Sequence, residues 1–383
     1  MESLTECPYL YSCGGCDLLE KSYTEQLASK DAETIKNFQK ADLSPTEIRP
    51  ILRSDSQNAY RNKIQYNFDI TYEGEIICGN YAPDSHHLIS IDHCLLENEL
   101  SYKIKTYFLQ LMKDFDVLPY CNAQPNGSVK NLVIRTNHDC SEALVIIITN
   151  SLFLPKSKLL ATNLVKNFSE IKCIMHNINP RHSGSIIGPE SSLLFGVPFI
   201  TDSLCGLTYH ISPSSFFQIN TAQTEKLYTT LLDLTDLSKD DLLLDAYCGI
   251  GTIGLTAAHK VKKVVGIEIV PEAVEDASEN AIRNHLYNTS YHTGDVSRVI
   301  DRLTTKPTAV IVDPPRNGLS PRFIGYLNYN KPAKITYVSC NQKTLLRDLQ
   351  MLKKNYLIDI VQPVDMFPNT QHIETIVTLK LKV

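Results

Sequence analysis

Cys340 is the residue with the clearest chemical potential in this sequence of 383 residues. It follows the apolar run 334–339 and precedes an amphipathic helix pattern. A thiol at the carboxyl end of a strand, beside the amide-rich start of a helix, is expected to have a lowered pKa and to be nucleophilic. In an α/β sheet this edge is also where ligands bind. The sequence therefore predicts a reactive thiol beside a ligand; the alternative is a buried, inert cysteine.

A glycine-rich segment, Asp245-Ala-Tyr-Cys-Gly-Ile-Gly-Thr-Ile-Gly254, lies upstream of that thiol. Its glycines permit a tight turn and close backbone approach to a ligand, which alone fits nicotinamide cofactors equally well. An acid four positions before the first glycine is typical of S-adenosylmethionine enzymes. Glu268 ends the next strand, where it can accept both ribose hydroxyls, and Asp295 follows at a position suited to the adenine. The pattern favours S-adenosylmethionine, with nicotinamide binding or simple helix capping as alternatives.

The loop Asp313-Pro314-Pro315-Arg316 follows another predicted strand. Two prolines stiffen this loop and remove two backbone donors, which fixes the Asp313 carboxylate at the sheet edge. Amine-methylating enzymes have an aromatic residue after the prolines, and this chain has Arg316. Cytosine-5 RNA enzymes have a cysteine in the loop, and this loop contains none. Both activities are therefore disfavoured.

Methylation of carbon 5 of uracil explains the remaining residues. That carbon is a weak nucleophile until a thiolate adds to carbon 6 and makes the ring an enolate. A base must then remove the carbon-5 proton so that the thiol can leave. Cys340 can serve as the nucleophile. His372 and Glu374 are the candidate bases, because a spacing of two places both on one face of a strand.

The elements that must position these residues fall into two groups. The first half reads as an α+β module over residues 58–205. The second half alternates strands and helices, as in a doubly wound sheet. Predicted helices cover 23–40, 97–113, 155–168, 271–284 and 345–354, with another starting at 252; predicted strands lie within 60–91 and 171–200 and over 131–136, 143–149, 242–245, 263–268, 308–312, 334–339 and 372–381.

Composition limits the class of protein. A hydrophobic fraction of 43% and a charged fraction of 21% are ordinary for a globular chain. No apolar run approaches the roughly 20 residues of a membrane span, and the amino terminus lacks a signal-peptide core, so we expect a cytoplasmic protein. The net charge of −5 excludes a broadly basic nucleic-acid surface. A local patch from 60–63, Lys130 and Arg135 is the candidate RNA contact, with isolated surface charges as the alternative.

Eleven cysteines, with a cluster at Cys7, Cys13 and Cys16, indicate metal binding and reactive thiols rather than disulfides. Together with the motifs above and the segment Ser215-Phe-Phe-Gln-Ile-Asn220, they resemble the RNA uracil-5-methyltransferases over nearly the whole chain. The resemblance implies that Cys340 is the nucleophile and that Glu374, rather than His372, is the base. It implies S-adenosylmethionine contacts from Gln218, Tyr247, Gly249, Gly251, Glu268, Asp295 and Asp313, with Asp313 also close to the uracil.

The resemblance further implies a [4Fe–4S] cluster on Cys7, Cys13, Cys16 and Cys94. Thiolate ligation suits zinc as well, and Cys78 competes as fourth ligand, although its strand-like surroundings favour a core position. We expect the cluster to hold the first module together and to shape an RNA-facing surface.

The implied fold class is α/β, with a Rossmann-like methyltransferase domain and an α+β central domain. The predicted domains are 1–21 with 58–205 for the iron–sulfur and central part, 22–57 for a helical segment packing on the methyltransferase domain, and 206–383 for that domain. A linker is expected near Cys205-Gly206.

The predicted substrate is 23S ribosomal RNA, because iron–sulfur members of the family mostly act on it. The target base must leave its stack to reach the thiol. We expect a monomer with no membrane contact. Many relatives carry an RNA-binding β-barrel before the cysteines, and none is expected here, since the cysteines begin at residue 7. Transfer RNA is the alternative substrate; an RNA-binding or assembly factor without turnover and an electron carrier are the alternative classes.

Overall fold

The computed structural model describes residues 7–121, 124–180, 186–303 and 306–382. Two large sheets and a two-stranded hairpin contain the strands of the described residues. The helices are α1 (Tyr23–Lys40), α2 (Glu99–Asp114), α3 (Ser157–Asn167), α4 (Thr221–Thr235), α5 (Thr252–Ala257), α6 (Pro271–Arg283), α7 (Val296–Val299), α8 (Pro321–Asn330) and α9 (Gln342–Leu352). The strands are β1 (Glu47–Ile48), β2 (Lys63–Ile70), β3 (Ile76–Tyr81), β4 (Leu88–Ser90), β5 (Val129–Thr136), β6 (Ala143–Thr149), β7 (Ile171–Ile178), β8 (Glu190–Gly196), β9 (Ile200–Leu204), β10 (Leu207–Ile211), β11 (Leu242–Ala246), β12 (Lys263–Glu268), β13 (Thr289–Thr293), β14 (Ala309–Val312), β15 (Lys334–Ser339), β16 (Tyr356–Val364) and β17 (Glu374–Leu381).

The first sheet has seven strands in the order β4-β3-β2-β5-β6-β7-β8. Strand β6 is buried along its whole length because both of its faces are covered. Val145 and Ile147 pack in the core that contains α2 and α3. Leu144, Ile146 and Ile148 point to the other face, as the two-residue period of a strand requires, and pack in a core shared with the second half of the chain. This strand therefore joins the two parts of the molecule.

The second sheet has eight strands in the order β1-β16-β17-β15-β14-β11-β12-β13. Strands β11 to β15 are parallel, whereas β17 runs antiparallel between β15 and β16. The chain passes from β11 outward to β13 and then returns to β14 on the other side of β11. A crevice at such a reversal is where open α/β sheets bind ligands. The predicted α/β class with a Rossmann-like methyltransferase domain is confirmed.

The predicted linker at Cys205-Gly206 is wrong. Strands β9 and β10 pair antiparallel, with Leu204 opposite Leu207, so the two residues between them form a tight turn. Both have positive φ, 52° at Cys205 and 74° at Gly206, which is the backbone that two-residue hairpins favour. The pattern of small residues was correct for a turn and wrong for a connection between domains.

Helix α1 lies against the second sheet. Ser22 caps it in a reciprocal pair with Glu25, and Phe38 packs in the core of the methyltransferase half. The Lys30 ammonium forms a buried ion pair with Asp365, at 2.6 Å, in the chain just after β16. Among the described helices, none is long and apolar enough to cross a membrane.

Candidate active site and thiol cavity

Three adjacent strands bring the predicted reacting groups to one edge of the second sheet. Asp313 follows β14 and Cys340 follows β15. Glu374 begins β17, and the antiparallel pairing of Ser339 with Thr375 brings it beside Cys340. All three residues line a cavity of about 720 Å³. The structure thus gathers side chains that are far apart in sequence at the crevice where a ligand is expected.

The glycine-rich loop forms another wall of this cavity. Tyr247, Gly249 and Gly251 have φ values of 65°, 53° and 81°. Tyr247 and Gly249 line the cavity, whereas Gly251 lies behind it, where an added Cβ would be 2.9 Å from the Tyr291 hydroxyl. Asp245 is 1% exposed and accepts a hydrogen bond from the Gly254 amide, at 2.8 Å. The acid of the motif therefore braces the loop from below.

Glu268 and Asp295 both line the cavity and both already accept hydrogen bonds from the protein. Glu268 Oε1 accepts from the amides of residues 269 and 270, and Oε2 accepts from the Gly249 amide at 3.0 Å. Asp295 Oδ1 accepts from the Ser297 amide at 2.9 Å and caps α7. Helix capping and a place on the cavity wall are thus combined at Asp295.

The segment that carries Gln218 reaches the cavity from the opposite side. Gln218 and the exposed Phe216 line it. Asn62 donates a hydrogen bond to the Gln218 carbonyl at 2.9 Å, and the Arg135 guanidinium donates to the Ser215 carbonyl at 3.0 Å. Arg135 is only 3% exposed. The prediction that Asn62 and Arg135 belong to an RNA-facing patch is wrong, because both are buried and hold this segment.

Tyr60 and Lys130 of the predicted patch also form hydrogen bonds inside the protein. Tyr60 is buried and donates its hydroxyl hydrogen bond to the Pro368 carbonyl at 3.1 Å. Lys130 donates to the Asn179 carbonyl at 2.9 Å. Lys63 is half-buried, and burial lowers its pKa to about 8. The motif is therefore structural to a large extent.

The electrostatics of Cys340 reverse one expectation. Burial, together with the nearby carboxylates of Glu374 and Asp313, raises the pKa of the thiol to about 11, with Arg316 opposing them. The predicted low pKa is wrong for the protein without ligands. Strand-end position and the start of α9 do favour a thiolate, but burial and the two nearby carboxylates outweigh them.

Glu374 and Asp313 are both shifted toward their protonated forms. Burial and, to a smaller extent, Asp313 raise the pKa of Glu374 to about 8, with Arg316 opposing them. Burial also raises the pKa of Asp313 to about 7. Arg316 lines the cavity and lowers the pKa of both Cys340 and Glu374, a role that the sequence did not predict. Its signal was its place directly after the two prolines.

His372 and Glu374 are separated by the structure. Strand β17 starts at Glu374, so His372 lies in the preceding loop and the expected shared strand face does not exist. His372 is exposed, and its ring lies 6.1 Å from that of Phe367, edge to face. Glu374 is 5% exposed and lines the cavity. Of the two candidates, Glu374 is the one placed to act as a base.

A second cavity, of about 230 Å³, collects the cysteines that the resemblance singled out. Cys7, Cys13, Cys16 and Cys94 all line it. Burial raises the pKa of Cys16 to about 12, with Cys94, Cys13 and Cys7 adding to the shift. Cys78 is 2% exposed and belongs to the hydrophobic core of the first sheet. The four thiols are thus brought together and the competing fifth is kept apart.

Polar groups surround these thiols. The Gly15 amide donates to Cys13 Sγ at 3.3 Å, and the Asn80 side-chain amide donates to the same sulfur at 3.6 Å. Arg61 and Lys105 line the cavity as well. Within the described ranges, no three His, Cys, Asp or Glu side chains are grouped so as to hold a metal ion. That criterion applies to several ligands on one metal ion. In a [4Fe–4S] cluster each iron takes one protein thiolate, so the four sulfurs need not converge on a single point.

Known proteins match this chain along nearly its whole length. The family model for tRNA (uracil-5-)-methyltransferase matches residues 199–293 and 296–382. An uncharacterized RNA methyltransferase of Listeria monocytogenes serotype 4b is 37% identical over 98% of this chain and 83% of the relative. The chain belongs to the tRNA (uracil-5-)-methyltransferase family. An uncharacterized RNA methyltransferase of Staphylococcus aureus strain MSSA476 is also 37% identical, over 98% of this chain and 84% of its own.

A solved structure of the same family resembles the chain in fold. It is the tRNA (uracil-54, C5)-methyltransferase of Pyrococcus abyssi in complex with S-adenosyl-L-homocysteine. The identity is 28%, the TM-score is 0.76, and the match covers 96% of this chain and 86% of that one. The predicted family resemblance is confirmed. The chain is an RNA methyltransferase that uses S-adenosylmethionine.

Proposed function

We propose that this methyltransferase transfers a methyl group to carbon 5 of a uridine in 23S ribosomal RNA, with Cys340 as nucleophile and Glu374 as base. The observation that carries the proposal is the meeting of Cys340, Glu374 and Asp313 in one cavity with the glycine-rich loop. A nucleophile and a base are both required for this carbon and for few other methylation targets.

The reaction assigns one role to each side chain. The Cys340 thiolate forms a carbon–sulfur bond at carbon 6, and the electron pair of the ring double bond moves to give an enolate. S-adenosylmethionine would supply the methyl group to carbon 5, and its sulfonium charge favours the ionised forms of nearby acids. Glu374 takes the carbon-5 proton, the double bond re-forms, and the carbon–sulfur bond breaks to release the thiolate.

The proposed cofactor site has six residues in its walls: Gln218, Tyr247, Gly249, Glu268, Asp295 and Asp313. Gly251 supports them from behind. Glu268 Oε1 already accepts two hydrogen bonds, so Oε2 is the oxygen with capacity for a ribose hydroxyl. The negative charge of the cavity complements the positive charge of a sulfonium cofactor. Arg316 balances part of that charge beside Cys340 and Glu374.

RNA containing 5-fluorouridine tests the nucleophile. Fluorine cannot leave carbon 5 as a proton does, so the wild-type enzyme with cofactor should form a protein–RNA adduct that survives denaturation. Cys340→Ala should form none, whereas Cys140→Ala, at a half-buried thiol outside the catalytic cavity, should behave as wild type. With ordinary uridine, Glu374→Gln should accumulate a methylated adduct. An adduct that survives Cys340→Ala would overturn the assignment.

The four thiols of the smaller cavity would hold a [4Fe–4S] cluster. The support is their shared cavity, the N–H donors to Cys13 and the nearby cations Arg61 and Lys105, which suit an anionic cluster. Anaerobically purified protein should contain about four irons and four sulfides. Cys94→Ser should lose them, and the matched variant Cys78→Ser should keep them. One zinc without sulfide would contradict the cluster.

The four cysteines also support 23S ribosomal RNA as substrate, since cluster-bearing relatives mostly act on it. Transfer RNA is the second candidate, favoured by the similarity to the Pyrococcus abyssi transfer-RNA enzyme. Labelled S-adenosylmethionine and separated, undermodified ribosomal and transfer RNA would decide between them. Label in 23S RNA that digests to 5-methyluridine supports the proposal. Label confined to transfer RNA selects the alternative, and no label in either supports a binding factor.

A further inference from the structure

The loop 365–373, called here the base loop, joins β16 to β17 and leads directly into Glu374. Phe367 in this loop lines the catalytic cavity. The loop is held at its start by Asp365, which is fully buried, is paired with Lys30 at 2.6 Å and accepts a hydrogen bond from the Tyr23 hydroxyl at 2.8 Å. The catalytic carboxylate therefore depends on a segment that other parts of the chain must hold.

The far side of the base loop contacts the cysteine-bearing segment. The Asn369 carbonyl accepts hydrogen bonds from the Asp17 and Leu18 amides, both at 3.0 Å, directly after Cys16. The Gln371 amide in turn donates to Asp17 Oδ2 at 3.3 Å. One face of the base loop thus belongs to the catalytic cavity, and the other is bonded to the chain that leaves the thiol cavity.

Asn369 is the residue on which these contacts converge. It is 2% exposed and has φ of 69°, a conformation that asparagine tolerates better than most residues. Its amide donates to Gln26 Oε1 at 2.9 Å, and its Oδ1 accepts from Gln26 Nε2 at 3.2 Å. Its Nδ2 donates to the Gln57 carbonyl at 2.8 Å. Every polar group of Asn369 is therefore engaged outside its own loop.

We infer that Asn369 is a positioning residue for Glu374, and that segment 7–18, fixed by its cysteines, holds Asn369 in place. The catalytic part of this inference rests on the proposed uracil chemistry; the mechanical link between the thiol cavity and the base loop rests only on the proposed metal ligation by the cysteines. If the cysteines are released, the Asn369 carbonyl loses the two amide donors of Asp17 and Leu18. The Gln371 amide loses its acceptor, Asp17 Oδ2. The base loop then loosens, and removal of the carbon-5 proton is affected more than cofactor binding, which takes place on other strand ends.

Hydrogen–deuterium exchange on the full chain tests the mechanical link. Anaerobically purified protein is compared with the same protein treated with an iron chelator and with Cys16→Ser. Peptides covering 365–374 should exchange faster, by roughly fivefold at the Gln371 amide, because its hydrogen bond to Asp17, worth about a factor of five, is lost. Peptides from β11 should not change. Faster exchange confined to residues 7–21, with 365–374 unchanged, would overturn the inference.

Variants at Asn369 test the positioning role. Asn369→Gly keeps the positive φ and the carbonyl but removes the side-chain bonds; Asn369→Ala adds backbone strain. Both should lower kcat with little change in KM for S-adenosylmethionine, and the loss should be larger for alanine than for glycine. Both variants should retain their iron. Asn163→Ala, at a half-buried asparagine whose side chain donates to the Leu159 carbonyl of its own helix α3, is the matched control. Loss of thermal stability in Asn369→Gly with kcat unchanged would show a structural role only and refute the inference.

The two proposals fail separately. If wild-type protein forms no adduct with 5-fluorouridine RNA, the uracil chemistry is wrong, yet the exchange experiment still reports whether the cysteines hold the base loop. If exchange in 365–374 ignores the cysteines while the adduct forms normally, the uracil chemistry stands and this inference is refuted.

Discussion

Replacing Glu374 by glutamine should make the ligand-free protein more stable, and increasingly so as the pH rises. Burial and Asp313 raise the pKa of this carboxyl from 4.5 to about 8. Between those two values the folded chain keeps a proton that the unfolded chain has released. Folding stability therefore falls as the pH rises through this window and is lowest above pH 8. Glutamine has nearly the same shape and no proton to lose, so the variant escapes this loss.

The size of the effect follows from the width of the window. One pKa unit corresponds to about 1.4 kcal/mol, so the ionised Glu374 costs the folded protein up to about 5 kcal/mol above pH 8. Little of this is present at pH 5, where the folded carboxyl is neutral and the unfolded one is only partly ionised. The advantage of Glu374→Gln should therefore grow by several kcal/mol between pH 5 and pH 9.

Thermal unfolding at a series of pH values, on wild type and Glu374→Gln without cofactor, measures this advantage. Glu33→Gln, an exposed glutamate on α1, is the matched control and should differ from wild type equally at all pH values. The midpoint difference for Glu374→Gln should widen steadily from pH 5 to pH 9. A difference that is constant, or that narrows, would refute the claim that this carboxyl is held in its neutral form by burial.

Other outcomes follow from the same contacts. Cys340 should be alkylated about 100-fold more slowly at pH 7 than an ordinary thiol, as peptide mass spectrometry would show, and above pH 8, where Glu374 is ionised, Glu374→Gln should react faster than wild type; equal rates contradict the raised pKa. Lys30→Met should destabilise the chain by about 3–5 kcal/mol, because it leaves Asp365 buried without its cation, and Lys30→Met combined with Asp365→Leu should recover much of this in denaturant unfolding. Gly251→Ala should lower the free energy of unfolding by about 1 kcal/mol in denaturant unfolding, through strain at positive φ; unchanged stability contradicts it.

The sequence was sufficient to predict that Asp313, Cys340 and Glu374 meet at one edge of the sheet. Buried parallel strands appear as apolar runs, and the residue after each run must lie at the same sheet edge. This placed Asp313 and Cys340 correctly, and the strands β12 and β15 agree with the prediction residue for residue. Helices α4 and α8 and strand β16 were missed. In α4 and β16, polar residues such as Gln223 and Gln362 are buried among the apolar ones through tertiary contacts, which a pattern of apolar residues does not reveal.

The direction of the pKa shift at Cys340 could not be predicted from the sequence. The start of a helix lowers the pKa of a thiol, and that rule is local. The pKa of Cys340 is decided first by burial and then by carboxylates from two neighbouring strands, and both depend on the packed sheet. The same holds for Arg135, which looks like an RNA contact in a basic stretch and is in fact buried against the segment that carries Gln218.

Because β17 pairs with β15, the length of the base loop determines which side chain faces Cys340. Because successive side chains on a strand alternate faces, shortening or extending 365–373 by a single residue would turn Glu374 away from Cys340 and present a neighbour in its place. Surface loops usually absorb insertions and deletions without harm. The base loop should tolerate changes of residue type but not changes of length. A change of length would leave the sheet intact and place Glu374 on the face that points away from Cys340.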